Sequence, residues 1–465
     1  MIPSNWPGPQ ARPVFLFPLG IAGRLAPSQL QFGPAWLSRL CSPHWEVHCV
    51  SDSIDPDSNP TKTNPRSALP FIFVTVLLDV LSFGIIIPVL PNLLKQMVGG
   101  DAAIAASYYG LFGTTWAVAQ FFCAPILGSL SDRFGRRPVL LLSCLGLGLD
   151  YILMALAPTW QWLWLGRLLS GITAASFATA GAYVADVTPP EKRAASYGIF
   201  GAAFGLGFIL GPALGGILGS IHLRLPFWVS AALALANAAY GFWILPESLP
   251  PEKRRNFSWS RANPIGTWKF LFSIPSLSRL ALIGFLYQLA HQVLQNVFVL
   301  YTQYRYDWKE REVGLALAAV GVGSVVVQGF LVRRMMARFN EPMLLLTALA
   351  FGVAGMLLFG TAPNAWWFLL AIPVMAGMGF FMPALQGMMT RQVDVQQQGQ
   401  LQGATGALHS VAGLIGPILF TSLFAAVLER GAAPFWSGLP FWAAAFLLLL
   451  GIVVALPAAR SYRDS

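Results

Sequence analysis

Apolar residues in this chain come in long, nearly unbroken runs, not in the alternation of a half-buried strand or the narrow stripe of a soluble amphipathic helix. A helix of about 20 such residues, rising about 1.5 Å per residue, crosses the hydrocarbon layer of a bilayer. Twelve runs qualify: Leu69–Pro91, Ser107–Leu130, Val139–Ala157, Trp162–Val184, Ala194–Gly219, Phe227–Pro246, Leu280–Gln303, Val313–Val332, Met343–Thr361, Trp366–Thr390, Leu401–Leu428 and Phe441–Pro457. Several contain glycine and proline, which a lipid-embedded helix tolerates when its neighbours satisfy the freed backbone groups.

Composition agrees with lipid as the solvent. Of 465 residues, 56% are hydrophobic and 10% charged, whereas soluble domains carry about 25% charged residues. Too little polar surface exists to coat a globule in water, which excludes a soluble enzyme and a disordered scaffold. The net charge of +10 would suit nucleic acid only if it formed a basic face; here the bases flank apolar runs. Cys41, Cys49, Cys123 and Cys144 show no metal-ligand or redox spacing and read as inert packing residues. No metal cluster, nucleophile motif or Walker loop is present in the sequence, so neither a cofactor nor an enzymatic activity is expected.

The bases also set orientation. With the amino terminus in the cytoplasm, inner loops and tail hold seventeen Lys and Arg residues, including Arg133, Arg136, Arg137, Lys253, Arg254, Arg255, Arg333, Arg334, Arg338 and Arg391, against six in the outer loops. The positive-inside rule then puts both termini in the cytoplasm, and an even number of spans agrees. Residues 1–68 hold Arg12 followed by the apolar stretch Pro13 to Ala22, broken by proline and glycine; they are expected to be a poorly ordered cytoplasmic extension or to follow from a start codon upstream of the biological one.

A polar stretch, 247–278, divides the spans into a bundle over 69–246 and another over 279–457, with a cytoplasmic tail over 458–465. The halves echo each other. Arg133-Phe134-Gly135-Arg136-Arg137-Pro138 resembles Arg338-Phe339-Asn340-Glu341-Pro342, and Gly211-Pro212 matches Gly416-Pro417; 338 − 133 and 416 − 211 both equal 205. Two landmarks at one offset imply duplicated six-helix bundles, an architecture in which halves rock about a midplane site.

Specific motifs then carry a resemblance. Gly128-Ser129-Leu130-Ser131-Asp132-Arg133-Phe134-Gly135-Arg136-Arg137 is similar to the signature between spans two and three of the major facilitator superfamily. Leu165 to Gly171 resembles its fourth-span arginine motif, and Gly207 to Gly216 the fifth-span motif of proton-coupled drug antiporters. With Leu78-Asp79, Leu149-Asp150-Tyr151 and Pro383 to Gly387, the match most resembles the tetracycline/proton antiporter subgroup from about Leu69 onward. The chain departs from that subgroup in two places. Span nine, Met343–Thr361, holds no acid, and span eight carries Ser324, Val325 and Val326 where the subgroup can carry a histidine. The substrate therefore stays open.

Candidate residues fall into four groups. Asp79, Asp150 and Arg167 lie near mid-span, where an ionisable group costs about 2.5–3.5 kcal/mol and so faces a cavity or a partner. One reading is a structural Asp–Arg pair; the other is proton exchange at Asp150 or Asp79, with Arg167 adjusting the affinity, since burial favours the neutral carboxyl and a nearby cation the charged one. Gly128, Asp132, Arg133, Gly135, Arg136 and Arg137 either hold the loop inside by charge or form a gating latch that locks the outward-facing state, with Asp132 at its centre. Gly207, Gly211, Pro212, Gly215 and Gly216 are no nucleotide loop, because no strand precedes them; they allow close helix packing, and the resemblance adds a seal against leak. Gln120, Gln288, Gln292, Gln295, Asn296, Gln328 and Gln386 are the candidate substrate lining, and four of them share one face of span seven. His291 and His409 can relay protons or sit as satisfied neutral imidazoles.

Together these features predict an all-α, twelve-span, monomeric inner-membrane antiporter that exports a small organic compound, tetracycline-like drugs included, in exchange for protons. A facilitator or symporter for a native metabolite and a transport-inactive receptor are the alternatives.

Overall fold

The computed structural model describes residues 65–174, 176–189, 192–255, 274–394 and 397–461. Most of the expected extension, the middle of the expected linker and the end of the expected tail lie outside the described residues. Residues Lys62–Ser465 form one compact unit. Among the described residues the regular elements are helices, and no strand occurs.

Among the described residues, eleven helical segments are long and apolar enough to cross a membrane: Pro70–Met97, Ala102–Phe134, Arg136–Leu156, Trp160–Val187, Ser196–Ile221, Leu225–Ile244, Glu310–Met336, Glu341–Thr361, Ala365–Thr390, Gln400–Glu429 and Pro434–Pro457. The expected span seven is also helical, as Pro275–Asn296 followed by Phe298–Tyr306. Gln288, His291, Gln292, Gln295 and Asn296 make it more polar than the others. Counted with it, the spans number twelve and keep their expected order, so they are called spans one to twelve below.

Local chemistry starts several spans. Asp101 accepts from the backbone N–H groups of Ala103 and Ile104 at 2.8 and 3.0 Å, capping span two. Asn340 caps span nine through Met343 N at 3.0 Å, and Asn364 caps span ten through Trp367 N at 3.2 Å. Each such cap contributes about 1 kcal/mol. Large apolar side chains, among them Leu142, Leu149 and Leu370, are exposed, as suits a chain solvated by lipid.

The internal echo is visible in the packing. The two halves meet along two seams, span two against span eleven and span five against span eight, and these pairs exchange when the halves are exchanged. The repeated Gly-Pro pairs occupy corresponding places. Gly211 abuts Gly84 of span one, and the Pro212 carbonyl abuts Gly314 of span eight; Gly416 abuts Gln292 of span seven, and Pro417 abuts Gly110 and Gly113 of span two.

Both seams are tightly packed at one end of the molecule, and toward the other the glycines of the same spans meet open space. The end carrying Arg136, Arg334 and Arg391 is called here the basic end. At the far end, a methyl group on Gly216 would sit 3.0 Å from the Gly314 Cα, and one on Gly113 would sit 2.9 Å from Pro417. Toward the basic end the glycines of the same four spans, Gly128, Gly198, Gly201, Gly329 and Gly406, meet nothing within 4 Å.

Candidate functional site

In the first half, two acids are buried between helices. Asp150 of span three is 1% exposed and Arg167 of span four 7%; an Arg167 guanidinium nitrogen lies 3.6 Å from Asp150 Oδ2 and 3.4 Å from the Met154 sulfur. That spacing is an ion pair without a hydrogen bond, and neither Asp150 oxygen has a hydrogen-bond partner among the described residues. Gly166 lets Asp150 approach span four, since a Cβ there would meet Asp150 Oδ1 at 2.6 Å. Asp79 of span one is 4% exposed. Its Oδ1 accepts from Asn237 Nδ2 of span six at 3.0 Å and from the Cys144 thiol of span three at 3.6 Å. Cys144 is therefore more than the inert packing residue expected from sequence. Close packing of spans one and five, with Gly207 on Val80 and Gly211 on Gly84, backs the same stretch of span one.

In the second half a cavity of about 350 Å³ is lined by Tyr287, Gln328, Gly379, Met382, Pro383 and Gln386. Its walls are irregular. Span eight passes through a π-helical turn, Val327–Leu331, that includes Gln328, and span ten tightens to a 3-10 turn, Gly377–Phe380, that includes Gly379. Non-helical backbone at membrane depth is tolerated where it lines a cavity or is buried in protein. Gln328 donates to Ser324 Oγ at 2.8 Å, and Gln386 donates to Gln402 Oε1 of span eleven at 2.8 Å. Tyr287 stacks on Phe381 at 3.7 Å between ring centroids, with His291 behind it at 6.0 Å.

The other expected lining residues divide. Gln292 and Asn296 are buried, and Asn296 Nδ2 donates to the Gln292 carbonyl at 2.9 Å and to its side chain at 3.3 Å. They fill the crossing of spans seven, two and eleven against Gly113 and Gly416. Gln120 and Gln288 are half-buried, whereas Gln295 is exposed.

At the basic end the expected loop is mostly helix. Span two continues to Phe134, and a single residue, Gly135 at φ 109°, turns the chain into span three at Arg136. Glycine is needed there, both for that backbone region and because a Cβ would collide with the Glu247 carboxylate. Glu247 accepts from the Arg136 and Arg137 backbone N–H groups at 2.8 and 3.3 Å, capping span three. The Arg136 guanidinium bridges Asp132 at 2.6 Å and Asp186 at 3.0 Å, while Arg137 donates to the Phe242 carbonyl. The Arg133 guanidinium lies over Phe134, 5.1 Å from the ring centroid. Apart from Glu247, the first residue of the stretch between the halves, these partners belong to the first half.

Sequence reasoning missed Asn237, Glu247 and Asp186, and also Asn92 and Glu310, whose side chains join the two halves by a hydrogen bond at the far end. Asn237 is a lone amide inside an apolar span, the same signal that singled out the glutamines. The others flank helix ends, where an acid or amide is common and carries no distinguishing mark.

Two six-span helical halves with buried acids in one and a polar cavity in the other define a multi-pass membrane transporter. The chain belongs to the major facilitator superfamily, which it matches over residues 72–417 and 280–464. It is 39% identical over 398 residues to the tetracycline resistance protein, class C, of Escherichia coli, covering 85% of this chain and 97% of that one. It is also similar to the crystal structure of the human organic anion transporter MFSD10 (TETRAN), with TM-score 0.64 and 26% identity over 85% of this chain and 100% of the other. A bacterial homologue of the human lysosomal transporter Spinster, in an inward-facing and unoccupied conformation, shares the fold with TM-score 0.69 and 16% identity over 87% and 98% of the two chains. The superfamily and subgroup resemblance drawn from the motifs agrees with these likenesses.

Proposed function

We propose that this chain is a proton-coupled exporter of small organic compounds, working as a monomer in an inner membrane with both termini in the cytoplasm, and not an enzyme. The observation that carries the reading is the pair of carboxylates, Asp79 and Asp150, held 4% and 1% exposed inside a lipid-embedded half. An acid at that depth is costly, and exchanging a proton is a use that rewards the cost. Arg167 beside Asp150 adjusts the balance between its charged and neutral forms. The likeness to a tetracycline resistance protein supports drug export, and tetracyclines are the first compounds to test.

The substrate binds in the second half, against Tyr287, Gln328 and Gln386, with the half-buried Gln288 and Gln120 as further contacts. The basic end is the cytoplasmic one, so the described state opens inward. There Asp132 is held by Arg136 of its own half; in the outward-facing state it becomes free to latch the second half, with Gly128, Arg133 and Arg137 shaping the turn. Gly207, Gly211, Pro212, Gly215 and Gly216 seal the far end. The bundles run over 69–246 and 279–457, joined by 247–278. Opposite preferences of proton and substrate for the two states then couple their movements.

The test is reconstitution in vesicles with tetracycline as probe, scoring resistance of a pump-deficient bacterium in parallel. Drug-dependent proton flux is expected from the native chain and not from Asp79→Asn or Asp150→Asn. Flux unchanged in both variants would refute the reading.

A further inference from the structure

The two buried acids are held by different chemistry, and this difference assigns a role to Asn237. Asp150 faces a guanidinium. Asp79 instead accepts from an amide and a thiol. Asn237 is 1% exposed and its Nδ2 makes three contacts at once, donating to the Thr75 carbonyl at 2.9 Å, to Asp79 Oδ1 at 3.0 Å and to the Cys144 sulfur at 3.6 Å. Thr75 stands one helical turn before Asp79, so these two acceptors lie on one face of span one.

The Thr75 carbonyl can only accept. It therefore fixes which end of the amide faces span one: turning the amide over would set its oxygen against that carbonyl and against the carboxylate. Asn237 Oδ1, pointing away, is buried without a hydrogen-bond partner among the described residues, a cost that the arrangement retains. Span six is held in register by a second bond, Ser230 Oγ donating to the Ser82 carbonyl at 2.8 Å. An N–H donor locked against a carboxyl favours its charged form.

We infer that Asn237 is a positioning residue for proton exchange at Asp79: it presents an orientation-locked donor that helps the carboxyl give up its proton. This rests on the reading of Asp79 as a proton site. Cys144 of span three also faces Asp79, donating its thiol to Oδ1 at 3.6 Å. Span five, on the other flank, has no charged side chain within Ser196–Ile221. Span four meets span one nearer the basic end, where Tyr183 donates to the Pro246 carbonyl and Asp186 pairs with Arg136.

The experiment needs no substrate. The infrared carboxyl band of Asp79, identified as the band lost in Asp79→Asn, is followed across pH in the full chain in lipid vesicles. Asn237→Leu, which fills the same space without a donor, is expected to keep that band to a pH roughly one to two units more alkaline, the size set by deleting a hydrogen bond to a charged group. Cys144→Ala should shift it the same way by less, and Asn237→Ala serves if the leucine variant does not fold. A merely structural asparagine would lower the yield of folded protein and leave the titration where it was; that result overturns the inference while Asp79→Asn still removes the band. A native spectrum with no Asp79 band at any pH overturns the proton-site reading itself, and the inference with it.

Discussion

Asn92 Nδ2 donates a 2.6 Å hydrogen bond to Glu310 Oε1, joining residues 218 positions apart on opposite halves of the molecule. The bond sits at the far end, beside the place where Gly219 meets Glu310 and Gly216 meets Gly314. It is therefore one of the contacts that must break for that end to open. Asn92→Ala and Glu310→Ala are expected to raise the fraction of molecules open at the far end. A bond to a charged acceptor contributes about 1.5–3 kcal/mol, so a shift of tenfold or more is expected. Spin labels or fluorophores on spans two and eight at that end would report it as a longer distance.

The seam beside that bond makes the opposite demand. A Cβ on Gly216 would lie 3.0 Å from the Gly314 Cα and press on the Glu310 backbone, so Gly216→Val should disfavour the described closure by about 1–3 kcal/mol. Transport should fall while the amount of folded protein is retained, and labelling of far-end cysteines should rise. At Gly201, which meets nothing within 4 Å, the same substitution should leave the far end closed.

Asp150 and Arg167 should behave as a unit. Removing one partner of a buried ion pair typically costs about 3–5 kcal/mol, because the other charge is left uncompensated. Arg167→Gln alone is expected to lower the thermal midpoint and the yield. The double variant Asp150→Asn with Arg167→Gln should recover both without recovering drug-dependent proton flux. Thermal unfolding by intrinsic fluorescence and flux in vesicles separate the two effects.

Gln328 and Gln386 face a cavity remote in sequence from both acids. Gln328→Ala and Gln386→Ala are expected to raise the KM for an exported drug several-fold with the drug-to-proton ratio unchanged. Gln386 also holds Gln402 of span eleven, so its variant should show the larger effect. A change in the ratio with no change in KM would contradict a binding role.

Gly135 is the sharpest test of the turn between spans two and three. Its φ of 109° is one that an alanine rarely adopts, and the Glu247 carboxylate occupies the space of a Cβ. Gly135→Ala should cost about 1–3 kcal/mol and release the cap on span three, read as faster hydrogen exchange at the Arg136 and Arg137 amides.

Much of this architecture is legible in the chain itself because lipid imposes a strict length and polarity on every span. The repeat offset that linked Gly211-Pro212 to Gly416-Pro417 is borne out by their corresponding neighbours on spans one and eight, and seven and two. Span seven is the instructive case: its glutamines, His291 and Asn296 make it the least membrane-like run, yet its helices continue across the same length. The partners of the polar residues were not legible. That Gln328 and Gln386 share a cavity while Gln292 and Asn296 fill a helix crossing depends on how spans from distant parts of the chain meet, and periodicity within one span carries no information about that. Asn237 and Glu247 escaped for the same reason, since each acts on a helix far away in sequence, Asp79 in one case and the start of span three in the other.

Drug-dependent proton flux in vesicles of the native chain, compared with Asp79→Asn and Asp150→Asn, tests the central claim most directly. Uptake of tetracycline with counter-movement of protons in the native chain, abolished by neutralising either acid while the protein remains folded, is the predicted result. Drug movement that persists undiminished in both variants, or that never moves a proton in the native chain, would contradict it.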